Sequence, residues 1–263
     1  MTKHFTAPVR ARKSTRFGGR QGWHEGTKEV SNPMTRCALN KISLHWVIMH
    51  HLMEHCYAPT SDALATYFGV ERDEVASALF ALQEYHGVVL HPHAPEVWVI
   101  HPFSTAPTCF TVRYGERSWW GNCAWCSLGI AALLGGNEVL IESTLGADSS
   151  PVTVHVDGGR VREDLLVHFP IPMTRVWDNV IYADSTVLFF ESDAQIDSWA
   201  NRHHIARGDS QRVQRVYQLG AAWYGRHLDE HWHKWTLEEA RAIFTKCGLN
   251  GPIWQLPHSS ERF

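Results

Sequence analysis

Long apolar runs are scarce. The longest, around Trp46–Met49 and Ile130–Leu134, stop well short of the ~20 residues that a membrane-crossing helix requires. No membrane partner is expected. A secretory leader is missing too, because Lys3, Arg10, Arg12, Lys13, Arg16 and Arg20 are followed by no apolar stretch, and a cytoplasmic location is the expectation. Cysteines number only six, and apart from Cys123 and Cys126 they lie far apart. A chain of this length without a leader needs no disulfide framework, so these residues read as thiols. Charged residues make up 19% and nearly cancel, leaving a net charge of −3. No field covering the whole molecule therefore draws it to nucleic acid, and the basic N-terminal stretch is the exception. Internal repeats and low-complexity tracts are also lacking.

What is abundant is apolar and aromatic. Hydrophobic residues make up 44% of 263 positions, enough for one large core or two modest ones. Twelve tryptophans and eighteen histidines supply the side chains that line a pocket with aromatic or titratable groups. Residues 1–32 are rich in Gly, Arg, Ser and Thr with little apolar periodicity, the composition of a flexible basic arm.

From Ala38 to Cys56 the residues Leu39, Ile42, Leu44, Trp46, Ile48, Met49, Leu52 and Met53 fall largely on one broad helix face. Pro59-Thr60-Ser61-Asp62 supplies an N-cap signal for a short helix over Ala63–Phe68, which Gly69 ends. A third helix is expected over Glu71–His86, with Val75, Leu79, Leu82 and Tyr85 three or four apart and Gly87 as C-cap. Val88–Leu90 and Val97–Ile100 are strand-like and flank a proline-bearing loop. Three helices and a two-stranded wing over residues 33–101 make a winged-helix-like pattern. Such modules read DNA through the third helix, but this one opens Glu71-Arg72-Asp73-Glu74, which repels phosphates. A structural or lid role, with no nucleic-acid partner, is expected.

Past Pro102 the pattern changes. Phe110–Tyr114 alternates as a strand, and Trp119-Trp120-Gly121-Asn122 leads into a helix over Cys123–Leu134 that Gly135-Gly136 ends. Strand signals recur at Val139–Ser143, Val152–Val156, Leu165–Phe169 and Val187–Phe190. Helices are expected at Asp193–His203, Asp209–His227 and Thr236–Lys246. The expected fold class is α+β: the helical module of residues 33–101, then a small mixed β-sheet domain flanked by helices over 102–263.

The segment Asn122-Cys123-Ala124-Trp125-Cys126-Ser127-Leu128 carries the most chemical information. Cysteines three apart at a helix start share a face, and the unpaired N–H groups there favour the thiolate, which is both a nucleophile and a soft-metal ligand. Core packing is the plain alternative for any single cysteine. One CxxC does not complete a structural zinc site, which needs four ligands; His155 and His168 are candidate partners without ligand spacing. A thioredoxin-type pair lacks its βαβ context.

Ala124-Trp125-Cys126-Ser127-Leu128, entering an apolar helix after a winged-helix-like region and a strand, resembles the organomercurial (alkylmercury) lyase family. So do Trp177-Asp178-Asn179 and Asp184-Ser185-Thr186-Val187-Leu188-Phe189-Phe190, with Trp199 beyond them. The resemblance runs over roughly residues 38 to 227. Ala222-Trp223-Tyr224 through Gly248–Trp254 is similar to the tail of relatives in the wider family. It implies an enzyme in which two cysteines and an aspartate cut a carbon–mercury bond: thiolates hold the metal, and a carboxyl group delivers a proton to the leaving carbon. Cys126 falls on the first cysteine. Gly129 stands where the family has its aspartate, and Asp184 stands on the second cysteine.

The candidate catalytic and metal-ligating set is therefore Cys126, Asp184 and Cys123. The expected function is cysteine-dependent lysis of a carbon–metal or carbon–heteroatom bond in a small-molecule or organometal substrate, diverged from mercury detoxification. No cofactor is required, although the cysteine site admits a soft metal ion. Two alternatives stay open. One is an organomercurial lyase with rearranged residues, in which Cys123 supplies the second thiolate. The other is a soft-metal-binding or metal-sensing regulatory protein.

Overall fold

The computed structural model describes residues 38–259; the basic arm expected over residues 1–32 lies outside them. Helix α1 (Lys41–His55) starts where Asn40 caps it, its side chain accepting from the Ile42 and Ser43 N–H groups while the Ser43 hydroxyl accepts from the Asn40 N–H. Helix α2 (Ser61–Phe68) is capped by Thr60 and closed by Gly69 in the left-handed region. Helix α3 (Arg72–Glu84) begins with a capping box between Glu71 and Glu74. The acidic residues read from the sequence therefore serve as helix-start residues. Leu44, Ile48, Met49 and Leu52 of α1 are buried, as are Val75, Leu79 and Leu82 of α3, each side chain contributing ~1.5–3 kcal/mol of apolar burial.

The chain then enters an antiparallel sheet. Strands β1 (Val89–Leu90), β2 (Val97–Ile100), β3 (Phe103–Ser104), β4 (Thr111–Tyr114) and β5 (Arg117–Gly121) precede helix α4 (Ala124–Leu133). After it come β6 (Val139–Thr144), β7 (Pro151–Asp157) and β8 (Arg160–Val161). Among the described residues these form an eight-stranded sheet ordered β1-β2-β3-β5-β4-β6-β7-β8. Strand β9 (Leu166–Phe169), helix α5 (Val180–Ser185), β10 (Phe189–Phe190), helix α6 (Asp193–His203) and β11 (Asp209–Arg212) follow, with β9 the centre of a three-stranded sheet flanked by β10 and β11. Helices α7 (Val213–Tyr224) and α8 (Leu237–Lys246) close the fold. Every described strand pairing is antiparallel. The expectation of a small, mixed sheet is thus corrected in size and direction, while the α+β class stands. The two-residue strand β3 is too short to carry a period-two signal, yet it joins the β1–β2 hairpin to β5. The described residues all fall in one compact unit.

One departure comes from pairing with a distant strand. Asp209–Arg212 is a strand rather than the first turn of a helix, because it pairs along Leu166–Phe169; the helix then begins at Val213. Helix α4 is buried on nearly all sides, with Ala124, Cys126, Ser127, Leu128, Gly129, Ile130 and Ala131 inaccessible, as an all-apolar helix requires. It crosses α7 at close range. A Cβ on Gly220 would lie 3.0 Å from the Gly129 nitrogen, so two glycines let the backbones meet. Among the described residues, no helix is long and apolar enough to cross a membrane.

Candidate active site

Helix α4 starts directly after β5, and Cys123 is its N-cap: its backbone is extended, and its sulfur accepts the Cys126 N–H at 3.2 Å. The next N–H, that of Ala124, donates to the Val187 carbonyl at 2.9 Å. That bond ties the segment after α5 to the start of α4. Asn179 caps α5, its side chain accepting from Tyr182 N–H at 3.0 Å. Asp184 therefore sits in the last turn of a short helix, and the strand expected from Val187 begins only at Phe189.

These connections bring two predicted residues together. Cys126 Sγ lies 3.9 Å from Asp184 Oδ1, across 58 positions of sequence. Two further side chains complete the cluster. His101 Nε2 is 2.9 Å from Asp184 Oδ2, and the Tyr224 hydroxyl is 3.4 Å from Cys126 Sγ. His101, Cys126 and Asp184 each offer one donor atom, all within 4.8 Å of one another, and no other such His/Cys/Asp/Glu group is present among the described residues. Cys123 stands outside that group, wholly buried with its sulfur engaged as the cap. The histidines weighed as its partners are occupied elsewhere: His155 Nδ1 meets Glu163 at 2.6 Å, and His168 Nε2 meets the Arg207 carbonyl at 2.6 Å.

Burial pushes the Cys126 thiol above its ordinary value of 9.0, with the Asp184 charge adding to the rise and hydrogen bonds from Cys123 and Tyr224 opposing it. The thiolate that a helix start favours is not what this environment produces, because α4 is enclosed on all sides. Burial raises the Cys123 thiol further, and it raises the Tyr224 phenol well above its usual range, with the neighbouring thiols reinforcing the shift. At neutral pH both Cys126 and Tyr224 therefore hold their protons.

Gly129 acquires a reason here. A Cβ at that position would lie 2.2 Å from the Tyr224 ring, so the ring fills the space that any side chain on Gly129 would need. Where the family resemblance implies an acid, this chain has the ring of a tyrosine arriving from α7. Sequence reasoning missed Tyr224 and His101. Tyr224 lay inside a quoted motif but carried no spacing to Cys126, and His101 was one histidine among eighteen.

Over the cluster opens a cavity of about 100 Å³, lined by His101, Asp184, Tyr224 and His227 and by the rings of Trp125, Trp177, Trp223, Trp232 and Trp235. Its size suits a ligand of few heavy atoms, since an apolar cavity of ~150 Å³ accepts benzene. Trp125 Nε1 and His227 Nδ1 are buried with no hydrogen-bond partner among the described residues, two further polar points in a lining built mainly of aromatic rings. His227 is held neutral. Burial first, and the nearby His101 second, lower it to about 3.

The alkylmercury lyase family model, MerB, matches residues 103–225, the stretch that carries Cys126, Asp184 and Tyr224. Among solved structures, the mercury-bound form of MerB2 is similar with a TM-score of 0.53 and 16% identity, covering 73% of this chain and 90% of that one. That likeness establishes a shared fold. No curated protein matches by sequence. By the family match over residues 103–225 and by the shared fold, the chain is similar to the alkylmercury lyases over the segment that builds the site.

Proposed function

We propose that this protein is a Cys126-dependent enzyme that lyses a carbon–metal or carbon–heteroatom bond of a small molecule bound in the tryptophan-lined cavity. The observation that carries this reading is the Cys126 thiol set 3.9 Å from the Asp184 carboxylate, which lines a small tryptophan-rich cavity. Asp184 accepts the thiol proton as sulfur bonds to the metal, and then returns that proton to the carbon. Written for an organomercurial R–Hg–X, the first step forms S–Hg, releases X⁻ and protonates Asp184. The second breaks the carbon–mercury bond, releases R–H and leaves mercury on sulfur. His101 fixes the carboxylate through the 2.9 Å bond and acts as a positioning residue. Within the module read as winged-helix-like, residues 38–101 serve as structural support and deliver His101 to the site.

Mercury compounds are the natural first probe, with the expectation that they are held more readily than cleaved. A second thiolate weakens a carbon–mercury bond by adding a soft donor, and Cys123 is committed to capping α4. Headspace detection of benzene from phenylmercury is expected to show slow release by the wild type and none by Cys126→Ser or Asp184→Asn. Rapid release that depends on Cys123 as well as Cys126 would replace this reading with a rearranged organomercurial lyase. Tight binding with no product from any organometal or thiol-reactive candidate would leave a soft-metal-binding protein.

A further inference from the structure

We infer that His101, Cys126 and Asp184 form a three-donor site for a divalent transition ion of the zinc class, with the fourth position open to the cavity. This inference shares its three residues with the lysis reading but does not rest on it. One imidazole nitrogen, one sulfur and one carboxylate oxygen lie within 4.8 Å of one another. Donors placed ~2.0–2.3 Å from a tetrahedral ion are roughly 3.3–3.6 Å apart. The sulfur lies 3.9 Å from one Asp184 oxygen and the His101 nitrogen 2.9 Å from the other, and one donor atom of each residue falls within 4.8 Å of the other two, so side-chain rotations within the cluster bring the three donors to ligand spacing.

The donor chemistry narrows the ion. Magnesium and calcium take oxygen cages, and mercury or copper(I) takes paired sulfurs, whereas a mixed nitrogen, sulfur and oxygen set suits zinc or cobalt(II). Three protein ligands with one vacant position is also the plan of ions that bind an exchangeable ligand rather than ones that only brace a fold. His101 and Asp184 both line the cavity, so the vacant position faces it. The Tyr224 hydroxyl, 3.4 Å from the sulfur, is placed to donate to the bound thiolate. His101 is what distinguishes this site from a cysteine-only one, and it arrives from the end of β2, outside the segment matched by the family model.

The test is titration of the metal-free full-length protein with cobalt(II) and with zinc. One equivalent of cobalt is expected to bind with a thiolate-to-cobalt charge-transfer band and the intense visible bands of a four-coordinate ion, and zinc is expected to displace it. His101→Ala and Asp184→Asn should each weaken zinc binding by ~10-fold or more, and Cys126→Ser should abolish the charge-transfer band. Near-UV circular dichroism reports whether each variant keeps its packing; if His101→Ala loses it, Asp184→Asn and His101→Gln carry the comparison. Absence of stoichiometric binding, binding without the charge-transfer band, or zinc affinity unchanged in well-folded His101→Ala and Asp184→Asn would overturn the inference. Phenylmercury cleavage measured in parallel on metal-free protein separates the two readings: cleavage without zinc binding removes only the metal site, and zinc binding without cleavage supports it.

Discussion

At the scale of single residues, Cys126 illustrates how burial overrides a local rule. A helix start lowers a thiol that water can reach, but this one is enclosed, and burial raises it above 9.0. Alkylation of Cys126, mapped by mass spectrometry, should therefore be slow at neutral pH and should keep accelerating past pH ~9, where an ordinary thiol levels off. A profile that is already flat at pH ~7 would show an activated thiolate instead. Gly129 yields a second test. Restoring the family's acid as Gly129→Asp drives a side chain into the Tyr224 ring, an overpacking that costs about 1–3 kcal/mol. The variant should unfold at lower urea and gain no lyase activity. Equal stability would mean that Tyr224 yields easily, and increased benzene release would make the glycine a simple loss rather than an exchange of partners.

Among the elements, α3 carries the clearest functional consequence. Its opening residues Glu71, Asp73 and Glu74 sit where a recognition helix would meet phosphates, and Glu71 and Glu74 are engaged in the capping box. A chain lacking residues 1–32 is expected not to retard duplex DNA at sub-micromolar protein. Salt-sensitive binding in that range would return the module to a sensing role. The crossing of α4 and α7 is the second decisive arrangement. Gly129 and Gly220 let the backbones approach, and that approach is what carries Tyr224 to within 3.4 Å of Cys126. Neither glycine announces this in sequence, since the approach depends on two helices separated by some ninety positions.

For the molecule as a whole, the buried imidazoles set the response to acid. His227 titrates at about 3 in the fold against an ordinary 6.5, and His45 is lowered well below that value by burial and by His227. The unfolded chain binds these protons first, so their contribution is fully present above pH 6.5 and is lost as pH falls from 6.5 toward 3. For His227 it amounts to at most about 5 kcal/mol. Urea midpoints measured across that window should fall with acid, and His227→Gln should flatten the slope by about one proton; an unchanged slope would show that His227 is not the titrating group. What the sequence determined by itself were features encoded within a few positions: the cap signal before α2 at Thr60, the apolar helix after Cys123, the order of the family motifs, and Cys126 and Asp184 as a pair to be tested. Helix α6 has the span its periodicity indicates, Asp193–His203. What only the tertiary structure decided were features created by contact between distant segments. These include the continuous antiparallel sheet joined through a two-residue strand, the change of Asp209–Arg212 from helix to strand, the protonation of Cys126, and the arrival of His101 and Tyr224 beside it. Side-chain periodicity and capping act over one or two turns of chain. Burial and donor geometry depend on which faces meet, and no spacing within a single segment records that.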